Sequence, residues 1–129
     1  MTNTDELVKK LNLKDSDKKY ILHAPLNYEL PDVPNLVNQE ELNNEFNWVQ
    51  AFYYYEADLT KELPALEEKM SSGGMLWICW PKHSANMSSD LSDNVVRSLG
   101  LACGLVDTKV ASIDETWSAL KFVYRLEDR

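Results

Sequence analysis

Three short stretches of the chain gather residue types that chemistry needs. His23 lies at the end of the apolar run Tyr20–Ala24, with Asn27 and Tyr28 after it; Trp80, Lys82, His83 and Ser84 follow Met75–Cys79; Asp114, Glu115, Trp117, Ser118 and Lys121 lie near the C-terminus. An imidazole exchanges a proton near neutral pH, and Ser84 beside His83 suggests a nucleophile with its base. Adjacent residues rarely align in those two roles, however, and no Gly-x-Ser-x-Gly elbow exists to present a serine. His83 therefore reads as a surface-loop residue, and His23 as a strand-end histidine held by a hydrogen bond. Two histidines and two cysteines show no metal-ligand spacing, so no metal is expected.

The stronger pattern is a tryptophan with a lysine shortly after it, twice: Trp80 with Lys82, and Trp117 with Lys121. Two indoles could wall a small pocket while two ammonium groups draw in a small anion or carboxylate. The plainer reading has both indoles packing at the sheet edge and both lysines solvated. The candidate pocket comprises His23, Asn27, Tyr28, Trp80, Lys82, His83, Trp117, Ser118 and Lys121, with no catalytic residue assigned. Tyr53–Tyr55 alternate faces, which turns at least one hydroxyl outward or into a crevice. Asp58, Glu62, Glu67 and Glu68 read as a solvated helix face, or as the acidic half of a partner interface.

The elements that would position these residues follow from patterning. Thr4, Asp5-Glu6 and Lys9-Lys10 have the order of cap, acids and bases that suits a short helix. Tyr20–Ala24 is a strand stopped by Pro25, and Trp48–Tyr54 is a second. Residues 25–46 hold three prolines and many polar residues; they predict an irregular segment with a short extended piece near Leu36-Val37 and a helical turn near 39–43. Leu59, Leu63, Leu66 and Met70 form a helical stripe, with a kink or restart expected at Pro64 and a glycine stop at Ser71–Gly74. Met75–Trp80 is the third strand. Leu91, Val95, Leu99, Ala102 and Cys103 share a helix face closed by Gly104. Val106–Ile113 and Ala119–Leu126 make an antiparallel pair. Apolar runs separated by helices predict an α/β fold, a mostly parallel Rossmann-like three-layer sheet with an antiparallel C-terminal edge. A length of 129 residues fits a single α/β domain over 1–129, in which 1–18 are N-terminal helix and lead-in.

A formal charge of −8, from 21 acids against 13 bases, repels phosphate backbones and anionic lipid, so neither nucleic acid nor membrane is an expected partner. No apolar stretch approaches the ~20 residues of a membrane helix. The N-terminus lacks the basic and apolar regions of a secretory signal. Cys79 and Cys103 lie in apolar segments as free thiols, which suits a reducing, cytoplasmic setting.

Ser72-Gly73-Gly74-Met75-Leu76-Trp77-Ile78 resembles the helix, glycine pair and apolar strand step of class I methyltransferases. Ala24-Pro25, the run Gly73–Lys82, Gly100–Asp107 and Asp114–Val123 resemble a family of small bacterial proteins of unknown function that read as shrunken methyltransferase cores. The likeness covers most of 7–124 and implies a truncated methyltransferase-like topology. Methyltransferases follow the first strand with a glycine-rich turn for S-adenosylmethionine and place an acid after the next strand for its ribose. Here Ala24–Glu29 contains no glycine, and too few residues separate the first two strands for two full crossovers. No cofactor is therefore expected. The leading expectation is a non-catalytic domain that binds a protein partner or a small ligand. One alternative is an enzyme acting on a small anionic substrate at the crevice beyond the strand C-termini; another is an atypical S-adenosylmethionine-dependent methyltransferase.

Overall fold

The computed structural model describes residues 4–15, 18–42 and 45–129. Six strands form one sheet: β1 (Lys19–Leu22), β2 (Asn35–Leu36), β3 (Phe46–Phe52), β4 (Met70–Pro81), β5 (Leu105–Ser112) and β6 (Trp117–Tyr124). Their spatial order is β2-β1-β3-β4-β6-β5. The first four run parallel, while β6 is antiparallel to both β4 and β5. This is the mostly parallel sheet with an antiparallel edge that the patterning predicts. The chain leaves β1 outward to β2, then returns past β1 to β3. Strand order thus reverses between β1 and β3, and such a reversal opens a crevice at the strand C-termini.

Two faces of the sheet carry separate cores. On one, Val49, Ala51, Leu76, Ile78, Trp80, Leu120 and Phe122 pack under the helices α2 (Glu56–Lys69) and α3 (Asp93–Ala102). On the other, Ile21, Trp48, Phe52, Trp77, Cys79, Trp117 and Ala119 pack under α1 (Thr4–Lys10) and residues Leu30 and Val33 of the loop beyond β1. The period-2 alternation of side chains makes this division. The helix α1 is anchored just past its end, where the Leu11 carbonyl accepts the indole N–H groups of Trp48 at 2.8 Å and Trp77 at 2.9 Å. Those donors satisfy a carbonyl that a helix C-terminus leaves without an intrahelical partner.

Three expectations are corrected. The first strand stops at Leu22 rather than Ala24, because His23 turns left-handed at φ +58°. The helix α2 runs unbroken through Pro64. Pro64 and Thr60, whose carbonyl loses its N–H partner, are both exposed, and water can take the missing bond. Ser71–Gly74 is not a helix stop: β4 begins at Met70. Gly74 is needed for closeness instead, since a Cβ there would stand 3.0 Å from the Phe46 carbonyl oxygen and 2.8 Å from Ser71 Oγ, beside the register shift between Phe46 and Trp48. The segment after β1 contains β2 and a 3-10 turn at Gln39–Glu41, as the sequence suggests, while part of the expected turn lies outside the described residues.

Candidate functional site

The crevice at the strand-order reversal is built around His23. Its Nε2 lies 2.8 Å from Oε1 of Glu62 on α2, and the same oxygen accepts the Tyr53 hydroxyl at 2.8 Å. The rings of His23 and Tyr53 meet edge to face at 5.5 Å. The two partners arrive from different elements: His23 follows β1 directly, and Tyr53 follows β3 with its N–H bonded to the Cys79 carbonyl. Burial, with the adjacent Glu62 carboxylate, pushes the Tyr53 hydroxyl well above the usual phenol range, so it stays a donor. A histidine whose second nitrogen is held by a carboxylate has a defined tautomer and orientation, the arrangement of a general base.

Two spaces meet at His23. A groove of about 400 Å³ lies beyond β1 and β2, lined by His23, Ala24, Pro25, Asn27, Tyr28, Glu29, Asn35, Leu36 and Val37. A hollow of about 270 Å³ lies beyond β3, lined by His23, Phe52, Tyr53, Tyr54, Asp58 and Glu62. Tyr28 closes the groove toward the core, where its hydroxyl donates to Gln50 Oε1 at 2.8 Å. Burial raises this phenol well above its usual value, with the Cys79 thiol adding to the effect.

A third and larger cavity, about 720 Å³, lies between the end of β4, the start of α3 and the β5–β6 pair. The predicted pocket residues are thus divided. His23, Asn27 and Tyr28 share the groove, whereas Trp80, Lys82, His83 and Ser118 share the third cavity. Trp117 and Lys121 line neither. Trp80 packs on the α2–α3 face and Trp117 on the opposite face, so the two indoles do not face each other. Trp117 instead continues an aromatic chain, meeting Phe52 at 5.0 Å and Tyr54 at 5.4 Å.

The lysines do not converge either. Lys82 Nζ donates to Ser112 Oγ at 2.5 Å and to the Asp114 carbonyl at 2.6 Å, closing the β5–β6 turn. Lys121 pairs with Trp77 across the sheet, four positions from the Pro81–Trp117 pair. Its ammonium binds Asn12 Oδ1 at 3.1 Å and sits 5.9 Å from the Trp77 ring centre, and burial, with Lys109 nearby, lowers its proton affinity. The expected pair of free cations for an anion is replaced by two structural ties.

Sequence reading missed Glu62 as a site residue by assigning it to a solvated face. It falls on the 59-62-63-66 spacing, between Leu59, Leu63 and Leu66 of the buried stripe, which places a carboxylate on the inner side of the helix. That spacing was the available signal.

No family model matches the chain, and no curated protein matches it. Solved structures do. The CcbJ methyltransferase from Streptomyces caelestis superposes with a TM-score of 0.63 at 8% identity, over 94% of this chain and 88% of that one. The glycopeptide N-methyltransferase MtfA gives 0.59 at 12% identity, over 95% and 90%. The magnesium protoporphyrin IX methyltransferase ChlM from Synechocystis PCC 6803, with bound SAH, gives 0.56 at 10% identity, over 72% of this chain and 52% of that one. Several matched structures are much longer, and this chain covers as little as 34% of one O-methyltransferase. These matches correct the expectation of a non-catalytic domain: the proteins named are methyltransferases, and what this chain shares with them, at 8–12% identity, is the fold.

The groove can be tested against the adenosyl cofactor of such proteins. Leu36 is half-buried and Val37 is 73% exposed, an apolar wall left open at the end of β2. Asn27 and Asn35 put amides on the same groove. Glycine is absent, but the backbone turns left-handed at His23 (φ +58°) and Asn27 (φ +65°). Each such residue costs about 1–2 kcal/mol, and strain of this kind tends to be kept at functional sites. Among the described residues no α-helix lies between β1 and β3, so side chains rather than a helix terminus would meet the ligand. Space, an apolar wall and amides suit the adenosyl part in an atypical way. The chain has the Rossmann-like fold of the class I S-adenosylmethionine-dependent methyltransferases.

Proposed function

We propose that this protein is an atypical S-adenosylmethionine-dependent methyltransferase working at the C-terminal rim of β1, β2 and β3. The observation that carries the reading is the place of His23, left-handed at the strand-order reversal and shared by the groove and the hollow. The groove takes the cofactor, with Leu36 and Val37 against the base and Asn27 and Asn35 offering amide contacts. When bound, the cofactor supplies an electrophilic methyl group on a sulfonium. The hollow takes the methyl acceptor, against the rings of Phe52, Tyr53 and Tyr54.

A small anion held by Lys82 is a weaker reading, because that ammonium is already tied to Ser112 and Asp114.

Isothermal calorimetry with S-adenosylmethionine and S-adenosylhomocysteine tests the proposal. Both are expected to bind, and Val37→Glu, which places a charged side chain in the open groove, is expected to weaken both at least tenfold (about 1.4 kcal/mol). Absence of heat for both compounds with the wild-type protein overturns it.

A further inference from the structure

The geometry points to a second ligand site, in the cavity between the end of β4, the start of α3 and the β5–β6 pair, that takes a neutral carbohydrate ring. It shares no lining residue with the groove or the hollow at His23, and it stands or falls apart from the methyl-transfer reading.

Strand register lays the floor of this cavity. Trp80 lies opposite Ser118, and Ser118 opposite Ser112, so the three side chains share one face of the sheet in a row across β4, β6 and β5. Lys82 closes the end of that row by holding Ser112. The wall is the segment Ser89–Asp93 that leads into α3. It is fixed through the Tyr54 carbonyl, which accepts the Ser89 hydroxyl at 2.7 Å and the Asp90 N–H at 3.2 Å.

One polar group of the floor has no answer within the fold. Trp80 is 5% exposed, yet among the described residues its indole N–H meets no acceptor, whereas Trp48 and Trp77 both donate to the Leu11 carbonyl. Among the described residues, no fully buried side-chain nitrogen or oxygen lacks a partner. The Trp80 N–H therefore reaches open space, and the space that Trp80 lines is the cavity. A buried indole normally finds a hydrogen-bond partner, and here a ligand oxygen supplies it.

The remaining groups define the ligand class. Among the described residues the hydroxyls of Ser84 and Ser118 also have no partner, and each can donate and accept. Asp90 gives one carboxylate oxygen to the Glu56 N–H at 2.7 Å and Asp93 gives one to the Asn94 N–H at 2.9 Å, which leaves each a second oxygen that accepts. An indole N–H needs an acceptor and a carboxylate needs a donor; a sugar hydroxyl is both. An ammonium ligand has no acceptor for the indole. An anion meets two carboxylates and a single ammonium, Lys82, that is already tied. Leu91 and Val110 add an apolar surface for the C–H face of a pyranose, and Val110 is 58% exposed without one. The volume of about 720 Å³ is that of a small-ligand site.

Proton–nitrogen correlation spectra test the inference, because each tryptophan indole gives its own N–H peak. Trp80→Phe identifies the Trp80 peak by its disappearance, and sequential assignment does so if that variant does not fold. D-glucose, D-galactose, D-mannose and N-acetylglucosamine are titrated into the wild-type protein through the millimolar range. At least one is expected to move the Trp80 indole peak saturably while the Trp48 and Trp77 peaks stay in place. Ser118→Ala and Asp93→Ala are each expected to weaken that sugar about fivefold, the size of one lost hydrogen bond. No movement with any of the four sugars, or unchanged affinity in both variants, overturns the inference and leaves the N–H facing water. Movement with sodium acetate and none with sugar overturns it in favour of an anion site. A Trp80 shift with S-adenosylhomocysteine that blocks the sugar also overturns it, because the cavity would then belong to the cofactor. Sugar binding without any S-adenosylhomocysteine binding keeps this site and removes the methyl-transfer reading alone.

Discussion

A Cβ atom added to Gly100 on α3 would stand 2.1 Å from Cε1 of Phe122 on β6. The helix lies so close to the sheet there that the phenyl ring occupies the place of a side chain. This contact sets how closely the last turn of α3 approaches β6.

Gly100→Ala is therefore expected to destabilise the fold by about 1–3 kcal/mol through overpacking, although alanine is the better helix former. Phe122→Leu in the same chain is expected to recover part of the loss. Urea denaturation of the single and double variants measures both. A neutral Gly100→Ala would mean that the helix sits farther out.

Lys82→Met removes the ammonium that joins Ser112 Oγ and the Asp114 carbonyl. Charge-assisted bonds of this kind contribute about 1.5–3 kcal/mol each when their partners would otherwise be left unsatisfied. Partial exposure of the turn discounts this, and a loss of about 1–2 kcal/mol in total is expected. Urea midpoints report the loss, while calorimetric S-adenosylhomocysteine binding is expected to stay unchanged because Lys82 does not line the groove. Lost binding with unchanged stability would contradict the structural role.

Alkaline pH is expected to weaken the fold through three buried groups. Burial raises Tyr28, Tyr53 and Cys79, with Cys79 adding to the rise at Tyr28 and Glu62 to that at Tyr53. Each is neutral in the folded chain, while an unfolded chain ionises its cysteine at ~8.5 and its tyrosines at ~10. Their contribution is complete below those values and is lost as pH rises toward the folded-state values. Thermal midpoints are expected to fall between pH 8 and pH 11 more steeply in the wild type than in Cys79→Ala or Tyr53→Phe. Parallel slopes in all three proteins would remove these groups as the cause.

Much of the architecture could be read along the chain because the relevant signals are local. The alternation in β6, the apolar run of β4, the leucine stripe of α2 and the glycine after α3 each report a period or a backbone requirement within a few residues. Gly104 does adopt the left-handed conformation, at φ +89°. Errors occurred where a local rule had two physical uses. Glycine serves tight approach as well as turns, and Gly74 uses the first; proline is tolerated in a helix where its lost bond faces water, as at Pro64.

The site was less legible, because it depends on which elements become neighbours. Chemistry-bearing residues and their approximate elements were determined by the sequence alone, and His23 and Tyr28 were among those singled out. Pairing of His23 with Glu62, 39 residues away, required α2 to pack over the end of β1. Separation of Trp80 from Trp117 required the β4–β6 register, in which Trp80 faces Ser118 and Pro81 faces Trp117. Because side chains in a strand alternate faces, a shift of one residue in that register would have brought the two indoles together. Periodicity determines which residues share a face; only the tertiary pairing of strands and helices decided which of those faces meet.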